Sequence, residues 1–385
     1  MEQTLLEQFD GYPQIKKEID ISRQSGDDFS LDKGQVAETI NRIHPSQIKL
    51  RVSQKIEESK SSKTLRLIPV NQYLPPFQAG QYISLSVETG GVRTGRAYSI
   101  SSPPNQTGYY DITVRRVDEG RVSTYLLDGV QVGDCLYSSG PQGTFHYNPI
   151  IHQKEAVCLA GGCGVTPFMS MIREITDRGL QRSITLFYGN RSLEDMIFHD
   201  ELCALAERFS TFNYIPVIED PDPDYRGKTG YITAEMIKHT VGNITEKSFF
   251  ICGPQAMYSF CLPELDKLEI ERWRIRQEMF GTPINICDAK GWPAEIKADD
   301  RFSVRVNDST SFEMKAGESI LVALENNGLL IPSLCRSGEC SRCRIKLVSG
   351  RVFQPEGTPV RKSDRIYGYI HSCISYPLED LEILL

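Results

Sequence analysis

The sequence predicts three domains in a row: an antiparallel β-barrel, an α/β domain with a parallel sheet, and a small α+β domain. Three observations predict this order. Short strands separated by turn residues fill the first part, apolar runs alternate with helical stretches in the middle, and a hairpin followed by a helix opens the last part. At 385 residues the chain is also longer than one hydrophobic core supports. We therefore expect a multidomain protein.

Residues 1–46 precede the barrel and are expected to form a partly helical extension, since Val36, Ile40 and Ile43 fall on one helical face. The barrel is predicted over residues 47–149, because strands and turn residues alternate there at a density typical of a closed antiparallel sheet. The predicted strands lie in the segments IKLRVSQKIEE, KTLRLI, GQYISLSV, RAYSISS, YYDITVRRV and GDCLYSSGPQGTF.

The α/β domain is predicted over residues 150–282. Apolar runs such as EAVCLAGG, SITLFYGN and KSFFICGP alternate there with helical stretches such as TPFMSMIREITDRG and TAEMIKHTV. This alternation is typical of a doubly wound parallel sheet. Residues 283–302 contain glycine and proline and are typical of a linker. Residues 303–385 supply hairpin strands, the helical stretch SILVALENNG and further strands, which predicts a compact mixed domain.

The composition is that of an ordinary globular protein, with 40% hydrophobic residues and a formal net charge of -7. Without a basic excess, DNA or RNA is not an expected partner. No apolar run reaches the roughly 18 residues of a membrane helix, and we expect no membrane span. The start, MEQTLLEQFDGYPQIKKEID, lacks the basic-then-apolar order of a signal peptide, so a cytoplasmic location is expected.

Three of the 11 cysteines crowd into the segment SLCRSGECSRCRIK, at Cys335, Cys340 and Cys343. This C-x4-C-x2-C spacing, with Cys373 as a distant fourth cysteine, is typical of the ligands of a 2Fe-2S cluster. Gly338 permits the tight bend that such a loop requires. A structural zinc site is the alternative, but it usually has two C-x2-C pairs and only one is present. The other cysteines are expected to be reduced thiols.

The stretch RAYS at residues 96–99 is a candidate flavin site. Its arginine, ring and hydroxyl suit a phosphate, a flat ring and a ring nitrogen, although an ordinary barrel strand has the same residue types. Together with GRVS at residues 120–123, it resembles the flavin signature of the ferredoxin reductase superfamily. The resemblance implies that Arg96 contacts phosphate, Tyr98 covers the isoalloxazine and the catalytic Ser99 approaches its N5. It also assigns to flavin binding Ala97 and, at a helix start facing the phosphates, Gly120, Val122 and Ser123.

FAD is the expected flavin, because RAYSISS, ITVRR and GCGVTPFMSM are most similar to the FAD-containing hybrid-cluster-protein reductases. FMN is the alternative, since the phthalate dioxygenase reductases share the domain order and contain FMN. The resemblance covers the chain from about residue 47 to its end. It implies a β-grasp fold for the ferredoxin domain.

The segment LAGGCGVTPFMSM follows an apolar strand and enters a helix, with glycines at the turn. A glycine turn before a helix is common in any parallel sheet, so the pattern alone is unspecific. It resembles the nicotinamide-nucleotide motif of the same superfamily. That resemblance implies that the pyrophosphate meets this turn, with the binding residues Gly162, Gly164, Thr166 and Pro167.

The segment FFICGPQAM resembles the Cys-Gly-Pro motif of the superfamily, here formed by Cys252, Gly253 and Pro254. The motif cysteine lies beside the nicotinamide C4, which implies a catalytic role for Cys252; a buried core cysteine is the alternative. The segment QEMFG resembles the Glu-x-Phe that ends the reductase module. It implies that Glu278, as a third catalytic residue, and Phe280 lie near the flavin.

The choice between NADH and NADPH depends on the segment YGNRSLED. A 2'-phosphate suits a cation such as Arg191, whereas an acidic group such as Glu194 suits the free ribose hydroxyl. Both are present. The resemblance favours NADH, and NADPH stays open.

An FAD site, a nicotinamide site and a 2Fe-2S cluster in one chain predict an electron converter. A hydride passes from NAD(P)H to the flavin, and single electrons then leave through the cluster. The expected acceptor is a separate protein, whether a hybrid-cluster protein, an oxygenase or another metalloenzyme. The alternative is a redox-sensing or non-catalytic electron-transfer subunit of a larger complex.

Overall fold

The computed structural model describes residues 11–25, 29–279, 281, 285–358 and 360–385. The chain divides into two compact units, Met1–Ser46 and Gln47–Leu385. The first unit contains helices α1 (Tyr12–Ser25) and α2 (Phe29–Ile43). Helix α2 covers the stretch in which a helix is predicted, and its Val36 and Ile40 side chains are more than half exposed.

The second unit begins with an antiparallel barrel, as predicted. Its strands are β1 (Ile48–Ser59), β2 (Ser62–Pro69), β3 (Tyr82–Thr89), β4 (Val92–Ser99), β5 (Tyr110–Arg115) and β6 (Cys135–Ser138). They follow one another in the order β4-β3-β6-β1-β2-β5. A bridge between Ile100 and Ile112 joins the first and last strands, which closes the sheet. The short helix α3 (Arg121–Thr124) follows β5.

Alternation of side chains explains the barrel core. In β1, Ile48, Leu50 and Val52 are buried, whereas Lys49 and Arg51 between them are exposed. Successive side chains of a strand point to opposite faces, so this pattern fills the barrel with the apolar set and leaves the charged set in water.

The nicotinamide domain is a parallel sheet, as predicted. Its strands are β7 (Glu155–Gly161), β8 (Ser183–Asn190), β9 (Phe212–Ile218), β10 (Lys228–Thr229), β11 (Lys247–Cys252) and β12 (Ile275–Glu278). Its helices are α4 (Thr166–Arg178), α5 (His199–Arg208), α6 (Ala234–Val241) and α7 (Gln255–Lys267). The strand order is β10-β9-β8-β7-β11-β12, and every pair is parallel.

This sheet is covered on both faces. In β11, Phe249 and Ile251 belong to one apolar cluster, while Phe250 and Cys252 belong to the other. The chain adds strands outward on one side of β7 and then on the other, so the order reverses between β7 and β11. Ligands of doubly wound sheets bind at the carboxyl ends of the strands beside such a reversal.

The ferredoxin domain is a mixed sheet with helices, as predicted. Its elements are β13 (Arg301–Val306), β14 (Thr310–Lys315), α8 (Ile320–Asn326), β15 (Arg344–Ser349), β16 (Val352–Phe353), α9 (Lys362–Ile366), β17 (Tyr369–His371), β18 (Tyr376–Pro377) and β19 (Leu381–Leu384). The main sheet has the order β14-β13-β19-β15-β17, and β16 pairs with β18. Parallel pairing of β13 with β19 ties the start of the domain to its end.

The segment that follows β12 is packed where the structure describes it. Ile286 is buried with Phe353 and Tyr376, and the Trp292 ring contacts both aromatic rings. Trp292 also donates from Nε1 to the Ile296 carbonyl oxygen at 2.8 Å. The connection is therefore anchored to the ferredoxin domain from residue 286 onward.

Among the described helices, none is long and apolar enough to cross a membrane.

Candidate functional site

The glycine turn after β7 and the Cys-Gly-Pro turn after β11 are in direct contact. Ala160 and Cys252 are register partners at the carboxyl ends of these neighbouring strands. A Cβ atom on Gly164 would overlap the carbonyl oxygen of Cys252, and one on Gly161 would lie 2.9 Å from the Pro254 ring. The atoms of one turn thus occupy the space that side chains on the glycines of the other turn would need.

Gly164→Ala is expected to raise the KM for NADH by about 10- to 100-fold, because the added methyl group must push the two turns apart and misplace the nucleotide. Steady-state kinetics with varied NADH measures the effect. Gly108→Ala serves as the control, since nothing lies within 4 Å of a Cβ at that position. An unchanged KM in the Gly164 variant would contradict a nucleotide site at this turn.

The predicted residues Thr166 and Pro167 begin helix α4 directly after the turn. Thr166 donates from Oγ1 to the Cys163 carbonyl oxygen at 2.9 Å. Gly162 has a φ of +51°, and its carbonyl oxygen accepts from the Tyr188 hydroxyl at 2.9 Å. Two hydrogen bonds therefore hold the turn in place. The first turn of helix α4 presents its amides toward the strand ends.

Cys252 and Glu278 are neighbours across β11 and β12, where they are register partners. Cys252 is 1% exposed and Glu278 is 3% exposed. Burial raises the pKa of both groups, and for Glu278 the nearby Glu339 and Cys335 add to the effect. Oε2 of Glu278 is buried without a hydrogen-bond partner among the described residues. A buried acid without a partner is costly unless a ligand approaches it or it stays protonated.

The RAYS stretch forms the end of β4. Ser99 is buried, and its hydroxyl has no hydrogen-bond partner in the part of the chain that is described. Tyr98 packs against the barrel core beside Ala97. Arg96 donates from Nη1 to Thr94 Oγ1 at 3.0 Å and to the Gly95 carbonyl oxygen at 2.8 Å. Burial, together with nearby Arg336, lowers the pKa of Arg96 to about 10. A phosphate beside Arg96 would offset this loss of solvation.

The GRVS stretch is a compact turn into α3. Ser123 accepts from the Val117 amide at 3.2 Å and donates to the Gly120 carbonyl oxygen at 3.0 Å. A Cβ on Gly120 would lie 2.6 Å from the Ser123 hydroxyl, so only glycine fits the turn. Val122 is buried beneath it. The Ser123 hydroxyl already bonds its own loop, so the atoms of this stretch that stay available for a phosphate are backbone amides.

The four predicted cluster cysteines associate in two pairs. The Cys340 thiol donates to the Cys335 sulfur, and this hydrogen bond lowers the pKa of Cys335. The Cys373 thiol donates to the Cys343 sulfur in the same way and lowers the pKa of Cys343. The amides of Ser337 and Cys340 also point at Cys335, at 3.4 and 3.3 Å.

Two pairs of thiols suit a group with two metal ions. In the described ranges, no set of three or more His, Cys, Asp or Glu side chains is arranged around a single point that could hold one metal ion. The hydroxyls of Ser337 and Ser341 are buried in the same loop without a hydrogen-bond partner among the described residues. Sulfide ions of an iron-sulfur cluster accept hydrogen bonds of this kind, so the loop fits such a cluster.

The cluster loop has a buried support. Gly338 has a φ of +85°, and a Cβ there would lie 2.8 Å from the Thr358 methyl group. The Gly338 carbonyl oxygen is 2.7 Å from His371 Nδ1, and His371 Nε2 is 3.3 Å from Asp364 Oδ2. His371 is fully buried. The bend of the loop is thus fixed by β17 and by helix α9.

A buried polar junction joins β4 to the ferredoxin domain. Thr94 donates from Oγ1 to Glu325 Oε2 at 2.9 Å and accepts from Arg336 Nη2 at 2.8 Å and from Arg96. Glu325 and Arg336 form an ion pair in which each side chain is 7% exposed. We call Thr94, Arg96, Glu325 and Arg336 the Thr94 junction. Arg336 follows Cys335 directly, so the junction links the RAYS strand to the cluster loop.

Thr94→Val is expected to slow reduction of the cluster by about tenfold and to leave reduction of the flavin by NADH unchanged, because a small displacement between reacting groups has a large effect on rate. Valine keeps the shape of threonine and removes the shared hydroxyl. Stopped-flow absorbance separates the two steps. Thr89→Val, two register pairs away beside the turn of the β3-β4 hairpin, is the control; an equal cluster rate in both variants would contradict a positioning role.

The sequence motifs assigned no role to Tyr82, which lies in the predicted strand segment GQYISLSV. Tyr82 is the register partner of Ser99 and is 4% exposed. A Cβ on Gly143 would lie 3.0 Å from the Tyr82 ring and 3.5 Å from Glu278 Oε1. Burial, and secondarily Cys335 and Cys340, raise the pKa of Tyr82. Tyr82 thus lies where the barrel, the nicotinamide domain and the ferredoxin domain meet.

Three residues named from the sequence do not belong to this meeting point in the part of the chain that the structure describes. Arg191 is exposed after β8, and its carbonyl oxygen accepts from the Asp220 amide at 2.9 Å. Glu194, the acidic alternative, forms an ion pair with Lys60 on the barrel. Phe280 lies outside the described residues.

Comparisons with known proteins agree with this arrangement. Residues 49–147 match the oxidoreductase FAD-binding domain, residues 158–262 match the oxidoreductase NAD-binding domain, and residues 304–378 match the 2Fe-2S iron-sulfur cluster binding domain. These matches confirm the predicted cofactors, FAD, NAD and a 2Fe-2S cluster.

Similar proteins match along most of the chain. The chain is 30% identical to the glycine betaine monooxygenase reductase subunit of Chromohalobacter salexigens over 85% of its own length and 92% of that protein. It is also 30% identical to the NADH oxidoreductase HCR of Escherichia coli, over 86% of its own length and 96% of that protein.

A solved structure matches most of the chain. Phthalate dioxygenase reductase, described as a modular structure for electron transfer from pyridine nucleotides to [2Fe-2S], has a TM-score of 0.66 and 26% identity to this chain. The match covers 88% of this chain and 98% of that one. The predicted fold class is confirmed. The chain belongs to the family of ferredoxin-reductase-type oxidoreductases in which FAD-binding, NAD-binding and 2Fe-2S domains follow one another in one polypeptide.

Proposed function

We propose that this chain is the reductase component of a redox system with a separate terminal protein, and that it oxidises NADH and delivers electrons singly. The observation that carries the proposal is the convergence of Ser99, Cys252, Glu278 and Cys335 around Tyr82, because it brings groups of all three domains to one place. When bound, FAD takes up two electrons at once and releases them singly, whereas a 2Fe-2S cluster carries one.

The residues have distinct roles in this proposal. Arg96 and the amides of Val122 and Ser123 hold the flavin phosphates at the turn that Gly120 permits, while Tyr98 covers the ring and Ala97 lies beside it. Ser99 donates to the buried edge of the flavin. On the nicotinamide side of the flavin, Cys252 positions the nicotinamide ring. Glu278, which burial keeps neutral, excludes water from the site.

The nucleotide and the cluster are held by separate elements. We assign the pyrophosphate to the amides of Gly162 and Gly164 and to Thr166 and Pro167, with Gly253 and Pro254 forming the facing turn. Arg191 lies on the ribose side. The cluster is assigned to two thiol pairs, Cys335 with Cys340 and Cys343 with Cys373. The corresponding domains are residues 47–149, 150–282 and 303–385, with 283–302 as the connection.

The names of the relatives suggest the acceptor. The relatives are a monooxygenase reductase subunit and a reductase named HCR. We therefore propose that an oxygenase component or a hybrid-cluster protein accepts the electrons of this chain. Because the thiols that would ligate iron must stay reduced, we also propose a cytoplasmic location.

Cofactor analysis and a kinetic assay test the proposal together. The anaerobically purified protein should contain one FAD, two iron and two sulfide per chain. Each NADH oxidised to NAD⁺ and a proton supplies two electrons, so two molecules of cytochrome c should be reduced per NADH. NADPH should give a lower kcat/KM than NADH. Full cofactor content without turnover would instead support the redox-sensing alternative.

A further inference from the structure

Five exposed cations near the cluster cysteines have no ion-pair partner among the described residues. Elsewhere on the ferredoxin domain, exposed cations are paired with carboxylates: Arg301 with Glu313, Arg305 with Glu382, Lys315 with Asp299 and Arg351 with Glu379. The unpaired cations are Arg342, Lys346, Arg361, Lys362 and Arg365. The chain as a whole has a formal net charge of -7, so this is a local departure from its overall charge.

The strand β15 places part of this set on one face. Along it, Ile345 is buried, whereas Arg344 and Lys346 on either side of it are exposed. Since alternate residues of a strand share a face, these two cations point to the same side. Arg342 is exposed in the turn that leads into the strand.

Helix α9 lies over that face. Arg344 Nη1 is 3.1 Å from Asp364 Oδ1, which ties the strand to the helix. Asp364 and the buried His371 then connect the helix to the Gly338 carbonyl oxygen inside the cluster loop. The cations of α9 are therefore two side chains away from the loop that holds the cysteines.

Apolar side chains complete this surface. Ile366 at the end of α9 is 66% exposed, and Tyr367 after it is 67% exposed. Exposed apolar and aromatic groups surrounded by charged groups are typical of protein interfaces, where the apolar centre supplies affinity and the charged rim guides association. We define the α9 face as Arg342, Lys346, Arg361, Lys362, Arg365, Ile366 and Tyr367.

The cluster loop already contacts the flavin barrel through one of its residues. Arg336 is buried in the Thr94 junction against the flavin barrel. Electrons that reach the loop from the flavin side must therefore leave through another side, and the α9 face is connected to the loop by hydrogen bonds.

We propose that the α9 face is the docking site of the electron-accepting protein, and that this protein presents an acidic surface around its own redox centre. The inference rests on the proposed function and adds to it the sign of the charge on the partner's docking surface. Five unpaired cations attract an acidic partner over a distance comparable to the Debye length, which is about 30 Å at 0.01 M salt. Steering of this kind raises association rates by about 10- to 1,000-fold.

The test compares Lys362→Glu/Arg365→Glu with a matched control, Lys228→Glu/Lys238→Glu, which changes the charge equally on exposed residues of the nicotinamide domain. The full holoenzyme is assayed with NADH at low salt against cytochrome b5, which is acidic, cytochrome c, which is basic, and menadione, which is neutral. For the α9 variant, kcat/KM should fall at least about tenfold with cytochrome b5 and rise with cytochrome c. Its rate with menadione should match that of the wild type. Salt should shrink both differences.

Several results would overturn the proposal. Equal slowing with both cytochromes would mean that the substitutions damage the cluster rather than repel a partner. An equal effect of the control variant would mean that only net charge matters. Light scattering that shows a wild-type dimer dissociated by the α9 substitutions would make the face a contact between two copies of this chain. If the wild type reduces menadione but neither cytochrome, the proposed function itself fails.

Discussion

Cys340→Ser is expected to abolish the 2Fe-2S cluster and, with it, the reduction of cytochrome c, while the flavin stays bound. Cys340 donates to Cys335 in one of the two thiol pairs, and a serine hydroxyl at this position is a poor ligand for iron. The cysteines lie in the ferredoxin domain, whereas Arg96, Tyr98 and Ser99 belong to the barrel, so loss of iron leaves the flavin residues in place.

Iron and sulfide analysis, together with the visible spectrum, measures this outcome. Cys135→Ser is the matched control, because Cys135 is exposed on the barrel strand β6. The NADH-dependent reduction of ferricyanide in excess should survive in both variants. Stoichiometric zinc in the wild type, or normal iron in the Cys340 variant, would contradict the assignment of the four cysteines.

Cys252→Ala is expected to slow the reduction of the flavin by NADH by about 100-fold, because a small displacement of the nicotinamide ring has an effect of that size. Cys252 lies at the carboxyl end of β11, next to Glu278 and in contact with the glycine turn through its carbonyl oxygen. Its removal leaves the strand intact and changes the wall of the site alone. Flavin content should stay the same.

Cys158→Ala controls for the loss of a buried thiol in the same sheet. Cys158 is fully buried in β7, two residues before the strand end that meets Cys252. Both variants lose similar packing, so a drop in flavin reduction confined to the Cys252 variant would identify the site. Equal rates of flavin reduction in the two variants would mean that Cys252 is a buried core cysteine without a role in the site.

The sequence predicted the elements whose patterns are local. Apolar residues at every second position predicted the strands of the barrel, and apolar runs that alternate with helical stretches predicted the parallel sheet. Each of these patterns can be recognised within a few residues. Helix α7 was not predicted: it contains Pro263, and its apolar residues are spread around the helix rather than on one face. Its place is set by packing against β11 and β12, which no local pattern encodes.

The Thr94 junction was not predicted for a related reason. Thr94 and Glu325 are separated by 231 positions, and neither belongs to a motif. Arg336 lies within the cysteine loop, where its charge looks like that of any exposed loop residue. Only the tertiary structure shows that it is buried against β4 with a carboxylate partner. Tyr82 lies in the predicted strand segment GQYISLSV, but its position in the site depends on the meeting of three domains.

The central claim is a linear path from NADH through the flavin to the cluster and then to the partner. Rapid freeze-quench EPR of the holoenzyme mixed anaerobically with NADH tests it most directly. We predict that the signal of the reduced 2Fe-2S cluster appears after the flavin absorbance bleaches, and that it appears later in Thr94→Val than in the wild type. A cluster that stays oxidised while cytochrome c is reduced at full rate would contradict the path.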